Sequence, residues 1–192
     1  MSKGVIVGID EAGRGPLAGP VVAAAVILPD QYDLPKLTDS KKLNETQREL
    51  LFTAILDQAL EVGIAEVSHS EIDAINIHQA SLLAMQRAYE NLKTAADMAL
   101  IDGKFCPDIA CAARAIIKGD LTEPAISAAS IVAKVTRDRL MCDYDVIYPQ
   151  YYFKKHKGYG TKLHIEALKA HGPCAIHRQS YAPVKKALKD MV

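Results

Sequence analysis

The sequence has little that would cross-link the chain or hold it in a membrane. Its four cysteines form no C-x-x-C pair, and no histidine lies at zinc-finger spacing from them, so neither a disulfide framework nor a structural zinc site is indicated. No apolar run approaches the ~18 residues of a membrane span, and no internal repeat or low-complexity linker is found. We therefore expect a cytoplasmic protein with reduced thiols and no membrane contact.

The sequence also lacks net charge, with 23 basic and 23 acidic residues. This balance argues against a nucleic-acid partner, because proteins that bind phosphate backbones are usually basic. The charge is unevenly distributed, however: residues 151–192 contain nine Lys or Arg and two acidic residues, whereas residues 1–150 contain fourteen and twenty-one. An acidic body beside a basic segment fits a cation site next to a surface for polyanions, and it fits improved solubility or self-association equally well.

Apolar residues, in contrast, are abundant. At 192 residues, 49% of them hydrophobic, the chain is expected to form one domain over residues 1–192. Hydrophobic periodicity predicts strands at 5–9, 20–28, 62–67, 98–101 and 113–117. It predicts helices at about 44–60, 70–92 and 124–144, a short one ending near 172 after a basic loop at 151–162, and a last one after 183. Asn44 with Gln47 is the predicted cap of the first helix, and Ser70 with Asp73 is that of the second. Early strands and late helices indicate an α/β domain with a C-terminal helical appendix at roughly 160–192.

Four acidic residues lie where predicted strands end. Asp10 and Glu11 close the first strand, Asp102 follows the fourth, and Asp120 follows the fifth. If these strands run the same way in one sheet, the carboxylates meet at one edge, where they repel one another unless a cation is bound. Hard divalent ions such as Mg²⁺ or Mn²⁺ prefer oxygen ligands, and two of them suit phosphodiester hydrolysis. For any one of these acids alone, a solvated turn residue is the commoner explanation.

A glycine-rich turn follows the first acid pair. Gly13, Arg14 and Gly15 let backbone amides approach a ligand while a guanidinium supplies donors for phosphate or sugar oxygens. Because neighbouring residues of a strand point to opposite faces, Asp10 and Glu11 can share a site only if the backbone bends or bulges between them, and the following Ala12 and Gly13 make such a bend plausible. A ligand-free turn and a dinucleotide-binding loop are the alternatives, but the glycine spacing is imperfect for the latter and a strand follows where that fold needs a helix.

The motifs that carry these residues resemble the bacterial type 2 ribonuclease H family, ribonuclease HII. The resemblance lies in GIDEAGRGPLAGPVVAAAVIL at 8–28, DSKKL at 39–43, IDG at 101–103, KGD at 118–120, ISAASIVAKVTRDR at 126–139, HKGYGT at 156–161 and HRQSYAPV at 177–184. It therefore covers nearly the whole chain in order. It implies a ribonuclease H-like mixed β-sheet flanked by helices, with the four acids as metal ligands and catalytic residues.

The resemblance also implies how the substrate is read. The Gly13-Arg14-Gly15 turn would contact the 2′-hydroxyl of a ribonucleotide, and Tyr159 would pack on the sugar of the following deoxynucleotide. Weaker candidates for contacts with the nucleic-acid backbone are Lys41, Ser130, Lys134 and Arg137. For most positions of the helix over 126–139, close packing against the sheet is the simpler explanation, and Lys134 is expected to pair with Asp138. The histidines at 156, 171 and 177 have no ligand-like spacing, and we assign them no catalytic role.

The family resemblance implies an endonuclease that cuts the RNA strand of RNA/DNA hybrids and cuts 5′ of single ribonucleotides in duplex DNA, leaving 5′-phosphate and 3′-hydroxyl ends. It implies two Mg²⁺ or Mn²⁺ ions, a monomer and no obligate protein partner. A junction-resolving metal nuclease is one alternative, since fold and acids do not name a substrate. A module that binds hybrids without cutting is another, and it predicts tolerance of Asp102→Asn.

Overall fold

The computed structural model describes residues 4–35, 37, 40 and 43–190, and in them the elements follow the predicted order. The strands are β1 (Ile6–Ala12), β2 (Val21–Ile27), β3 (Glu61–Val67), β4 (Met98–Asp102) and β5 (Ala112–Ile116). The helices are α1 (Glu45–Gln58), α2 (His69–Glu90), α3 (Pro124–Ile147), α4 (Phe153–His156), α5 (Lys162–His171) and α6 (Ala182–Lys189). Short 3-10 turns cover Gly119–Leu121 and Pro149–Tyr151.

The five strands form one mixed sheet in the order β3-β2-β1-β4-β5. β1 pairs antiparallel with β2, which pairs antiparallel with β3, whereas β1, β4 and β5 run parallel. The predicted mixed sheet flanked by helices is therefore confirmed. β2 is buried along its whole length, because helices cover both of its faces, and this explains its uninterrupted apolar sequence.

The two faces of the sheet pack against different helices. Val7 and Ile9 of β1 face α2, and Ala24 and Val26 of β2 face α1 and α3. α3 lies very close to the sheet: a Cβ added at Gly8 would fall 2.1 Å from the carbonyl carbon of Ala125. Small residues of α3, such as Ala128 and Ala129, permit this approach. Close packing against the sheet therefore explains most of that helix, as predicted.

Local details differ from the sequence prediction at two places. α2 is capped by Ser68 with Glu71 rather than by Ser70, and it is interrupted at Asn76, which has a φ of 67°. The side chain expected to complete the Ser70 cap, Asp73, instead accepts hydrogen bonds from the backbone of Gln179 and Ser180. A tertiary contact therefore replaces the local one.

The basic segment after α3 is more ordered than the predicted loop. Tyr151, Phe153 and His156 are buried, and residues 153–156 form α4. The aromatic rings at 151 and 153 stack with centroids 5.4 Å apart, and they anchor the segment while Lys154 and Lys155 face solvent. Along the described part of the chain, no helix combines the length and the apolarity required to cross a bilayer.

Candidate active site

The four predicted acids lie at the carboxyl ends of the parallel strands β1 and β4 and just after β5. Asp10 and Glu11 are inside β1 and pair in regular register with Ala24 and Ala23 of β2, so the expected bend between them is absent. Asp10 therefore faces α3, where it accepts a hydrogen bond from Ser130, and Glu11 faces α2. The prediction of a bend was wrong because pairing with β2 continues to Ala12, while β4 ends at Asp102 and leaves the sheet edge open.

Because β4 ends there, both faces of β1 open into one cleft of about 430 Å³. Asp10, Glu11 and Asp102 line this cleft. Asp120 lies beside them on the 3-10 turn: it is 6% exposed, and its backbone nitrogen is 3.5 Å from Asp102 Oδ1. The open sheet edge thus gathers acids that the alternation along a strand would otherwise separate.

Burial and mutual repulsion raise the pKa values of carboxyl groups in this site. Desolvation raises the pKa of Asp10 well above its usual value, and the negative charges of Glu11 and Asp102 raise it further. Burial also raises the pKa of Glu11, although Arg14 opposes this through an ion pair with an N–O distance of 3.3 Å. Glu11 Oε2 is buried and has no hydrogen-bond partner among the described residues. Such groups are stabilised by a nearby cation.

These residues fit a divalent cation by their chemistry. All of the candidate ligand atoms are carboxylate oxygens, which hard ions prefer. The buried Glu11 Oε2 accepts no hydrogen bond from the described residues and so is available to bind an ion. In residues 4–35, 37, 40 and 43–190, no three acidic, histidine or cysteine side chains converge tightly enough to form a finished ligand shell. Ion binding would therefore require the carboxylates to approach one another.

We expect Mn²⁺ binding to weaken as the pH falls, from a pH clearly above the ordinary carboxyl pKa of about 4. Because folding raises the pKa of Asp10 and Glu11, protonation of these groups favours the metal-free folded state. That contribution is complete below about pH 4 and is lost as the pH rises through the raised values, whereas ion binding needs the ionised form. The increase in Tm on adding Mn²⁺, followed from about pH 8 down to about pH 4, measures this competition. An increase that stays constant down to about pH 4 would contradict it.

The Gly13-Arg14-Gly15 turn is held from below by a buried arginine. All five N–H groups of Arg178 donate hydrogen bonds: to the carbonyl oxygens of Gly13, Arg14, Gly19 and Pro20, and to the hydroxyl of Tyr181, over 2.6–3.1 Å. The Tyr181 hydroxyl in turn donates to the Arg14 carbonyl at 2.6 Å. The C-terminal segment therefore determines the path of the turn.

Arg137 supports the same turn instead of facing solvent. Its guanidinium donates to the carbonyl oxygens of Pro20, Lys157 and Ala18 over 2.9–3.1 Å, and only 1% of the residue is exposed. Burial lowers its pKa to about 10. Its buried hydrogen bonds to backbone carbonyls therefore suit Arg137 to hold the backbone around the turn. The predicted direct contact with a nucleic-acid backbone stays a prediction.

Tyr159 lies beside the glycine-rich turn. A Cβ added at Gly15 would fall 3.6 Å from Tyr159 Cε1, so the ring stands beside the turn, and the tyrosine is 44% exposed. Gly15 and Tyr159 line the same cleft as Asp10, Glu11 and Asp102. The structure therefore brings together the turn, the aromatic ring and the acids, which are separated by up to about 150 residues in the sequence.

The remaining candidates are arranged around the α3 side of the cleft. Ser130 hydrogen-bonds to Ser40 at 3.0 Å, and the predicted pair of Lys134 with Asp138 is confirmed at 2.6 Å. Arg48 also lines the cleft, and its guanidinium donates to the carbonyl of Ser40. Lys41 lies outside the described residues.

Sequence reasoning did not single out Arg178, Tyr181 or Arg48. The first two lie in the HRQSYAPV motif, which carried part of the family resemblance. That motif was the available signal, but nothing local in it indicates contact with a turn more than 160 residues earlier. A buried arginine is recognisable only once its acceptors are in place.

A mixed five-stranded sheet flanked by helices, with carboxylates gathered at the ends of its parallel strands, defines the class of ribonuclease H-like nucleases. A model of the family described as Ribonuclease HII matches residues 7–184. A curated relative, Ribonuclease HII of Dichelobacter nodosus, is 56% identical over 186 residues, which are 97% of this chain and 98% of the relative.

Solved structures agree with this assignment. Ribonuclease H2 of Pyrococcus horikoshii OT3 superposes with a TM-score of 0.82 and 25% identity over 97% of this chain and 98% of that one. Bst-RNase HIII, solved in complex with Mn²⁺, has the same fold, with a TM-score of 0.76 and 18% identity over 97% of this chain and 70% of that one. The chain belongs to the ribonuclease HII family. It is a ribonuclease H, an endonuclease that acts on RNA paired with DNA.

Proposed function

We propose that the chain cuts on the 5′ side of ribonucleotides, including single ones embedded in duplex DNA, and leaves 5′-phosphate and 3′-hydroxyl ends. The observation that carries the proposal is the shared cleft, which is lined by the Gly13–Gly15 turn, by Tyr159 and by acids of the site. Only the 2′-hydroxyl distinguishes RNA from DNA at a given position, so the turn amides would act as its detector. The exposed Tyr159 ring would pack on the neighbouring deoxyribose.

We propose that Asp10, Glu11, Asp102 and Asp120 hold two divalent cations, Mg²⁺ or Mn²⁺, in line with the Mn²⁺ complex of Bst-RNase HIII. When bound, these ions supply charge neutralisation and Lewis-acid activation for phosphodiester hydrolysis. The protein contributes the rest. Asp10 and Asp102 would hold the ions beside the phosphate, and Arg14, which pairs with Glu11 in this structure, would donate to the phosphate next to the ribonucleotide.

The basic surface beyond the cleft supports an extended nucleic-acid partner. Lys154, Lys155 and Lys162 are exposed near Tyr159, on the segment that the sequence identified as rich in positive charge. We propose that residues 1–192 act as a single domain, because Arg178 and Tyr181 of the helical appendix hold the turn on the sheet. Function as a monomer without an obligate protein partner stays a prediction.

The proposal is tested with a DNA duplex that carries one ribonucleotide, in the presence of Mg²⁺ or Mn²⁺. We expect one incision 5′ of the ribonucleotide, none in an all-DNA duplex, and none by the Asp102→Asn variant. Metal-dependent cutting at DNA junctions without a ribonucleotide would favour a junction-resolving nuclease. Tight binding of the duplex without incision would favour a binding module.

Two alanine substitutions in the turn should separate folding from substrate recognition. Gly15→Ala has steric room, since its Cβ meets the Tyr159 ring at 3.6 Å, so we expect little change in Tm and a rise in KM of about tenfold as the methyl group fills the space for the sugar. Gly13→Ala should unfold the turn, because Gly13 has a φ of 100° and its Cβ would fall 2.0 Å from Arg137 Nε.

Thermal denaturation and steady-state kinetics of both variants check this difference. Gly103→Ala is a matched control for backbone strain alone, because Gly103 also has a positive φ, 105°, but its Cβ would meet nothing within 4 Å. A Gly15→Ala enzyme with unchanged KM on the single-ribonucleotide duplex would remove the turn from substrate recognition.

A further inference from the structure

Three buried histidines lie beneath the segment that carries Tyr159. His164 is 0% exposed, His177 1% and His156 8%, and the rings of His156 and His164 stack with centroids 4.5 Å apart. Phe153 contacts His164 edge-on at 5.5 Å, so the cluster is surrounded by aromatic rings. Neither the acids nor the substrate contacts proposed above use these side chains.

The protonation pattern of His164 is determined by the residue it contacts. Its Nδ1 lies 2.9 Å from the carbonyl oxygen of Tyr159. A carbonyl oxygen only accepts hydrogen bonds, so Nδ1 must carry the proton, and in the neutral ring Nε2 is an acceptor. The Tyr159 carbonyl also accepts a hydrogen bond from the Thr161 amide at 2.8 Å, which occupies its second lone pair.

The protonation pattern of His177 follows from the other end. Its Nδ1 lies 2.9 Å from the backbone nitrogen of Cys174, which only donates, so Nδ1 is an acceptor and Nε2 carries the proton. The Nε2 atoms of His177 and His164 are 2.9 Å apart. The Nε2–H of His177 therefore faces the unprotonated Nε2 of His164, as a hydrogen bond between the two rings requires.

These contacts form a directed chain of hydrogen bonds, called the relay below. The Cys174 amide donates to His177, His177 donates to His164, and His164 donates to the Tyr159 carbonyl. Burial lowers the pKa of His164 and of His177 to about 4, so both rings are neutral near neutral pH, as the chain requires. If either ring gained a proton, two N–H groups would face each other across 2.9 Å.

We propose that His164 and His177 are positioning residues that hold the backbone of Tyr159 and so place its ring beside Gly15. The inference rests on the proposed function, in which that ring packs on the deoxyribose. The ring itself is 44% exposed, and the segment before it contains left-handed residues, Lys157 with a φ of 51° and Gly158 with a φ of 85°. The position of the ring therefore depends on how its backbone is held.

Two substitutions of His164 separate positioning from packing. The amide nitrogen of asparagine corresponds to Nδ1 of histidine, so His164→Asn keeps a donor for the Tyr159 carbonyl and loses the link to His177. His164→Gln places its amide at the Nε2 position, so it keeps the link to His177 and loses the donor to Tyr159. Both remove a buried ring, and we expect both to lower Tm by similar amounts.

We expect His164→Gln to raise KM for the single-ribonucleotide duplex about tenfold with little change in kcat, and His164→Asn to raise it less than about threefold. In a Tyr159→Ala background this difference should vanish, because there is no ring left to position. Equal KM values for the two variants, or a difference that persists without the ring, would overturn the relay. If Tyr159→Ala has the kinetics of the unsubstituted protein, both the sugar contact and the relay are wrong.

A spectroscopic measurement tests the relay in the unsubstituted protein, independently of activity. Long-range ¹H–¹⁵N correlations of ¹⁵N-histidine-labelled protein at pH 7 should show an Nδ1-protonated ring for His164 and an Nε2-protonated ring for His177, assigned with the Asn and Gln variants. Observation of the opposite pair of tautomers, or of a doubly protonated, positively charged ring at either position, would rule out the chain of hydrogen bonds.

Discussion

Asp10→Asn should abolish cleavage and at the same time raise the thermal stability of the metal-free protein. The asparagine removes the charge of one carboxylate proposed to hold the metal ions. This would lose several kcal/mol of transition-state stabilisation, so we expect kcat to fall by at least about a thousandfold. It also removes the repulsion and desolvation that raise the pKa of Asp10, and these oppose folding when the group is ionised. Loss of activity with gain of stability is the signature of a charge kept for function.

The measurement compares Tm in EDTA and in Mn²⁺ for the original protein and the variant, together with single-turnover cleavage. The stability gain of Asp10→Asn in EDTA should grow as the pH rises above about 4, and Mn²⁺ should raise its Tm less than that of the original protein. Asp57→Asn, on the exposed side of α1, is the matched control and should change neither quantity. An Asp10→Asn protein that is less stable than the original in EDTA at neutral pH would show that the carboxylate has a structural role.

Arg178→Lys should destabilise the protein by about 3 kcal/mol and cut kcat/KM on the single-ribonucleotide duplex about a hundredfold. A lysine ammonium has three donors at one point, whereas the guanidinium reaches four carbonyls and a hydroxyl around the turn. Carbonyls of Gly13 and Gly19 would be left buried without their donor. The turn would then move relative to the acids, and a displacement of about 1 Å is sufficient for such a loss.

For a chain of this length the stability change corresponds to a decrease in Tm of about 10 °C, measured by calorimetry. Arg87→Lys is the control, since Arg87 forms an exposed ion pair with Glu71 at 2.9 Å and its replacement should cost less than about 1 kcal/mol. An Arg178→Lys protein with a normal Tm and reduced activity would instead indicate that the guanidinium senses substrate directly. Normal values of both would remove Arg178 from the site.

Much of the fold was predictable because it depends on local patterns. The continuously apolar β2 and the parallel strands β4 and β5 were recognised from composition and from the turns around them, and the cap of α1 at Asn44 is the predicted one. The break of α2 at Asn76 was not predictable, since its apolar periodicity continues through that residue. The burial of Tyr151 and Phe153 was missed as well, because abundant neighbouring lysines gave the segment the appearance of a solvated loop.

The candidate site likewise contains residues that the sequence identified and residues that only the structure revealed. The acids were identified because they are charged residues at the ends of apolar strands, and their apolar context makes their burial costly unless it is compensated. The supports of the turn were not identified. Arg178 and His164 have ordinary neighbours in the sequence, and the acceptors that give them a role, the carbonyls of Gly13 and Tyr159, have no side-chain signature at all.

The sequence by itself determined the order of strands and helices, the four acids at strand ends, the glycine-rich turn and the family. These are properties of short segments, in which periodicity, turn chemistry and charge are readable residue by residue. Only the tertiary structure decided that Asp10 and Glu11 meet without a bend, because that depends on where β4 stops beside β1. It also decided that buried arginines and a histidine pair hold the turn and Tyr159, because hydrogen bonds to backbone carbonyls depend on the path of a distant segment and leave no pattern in the sequence.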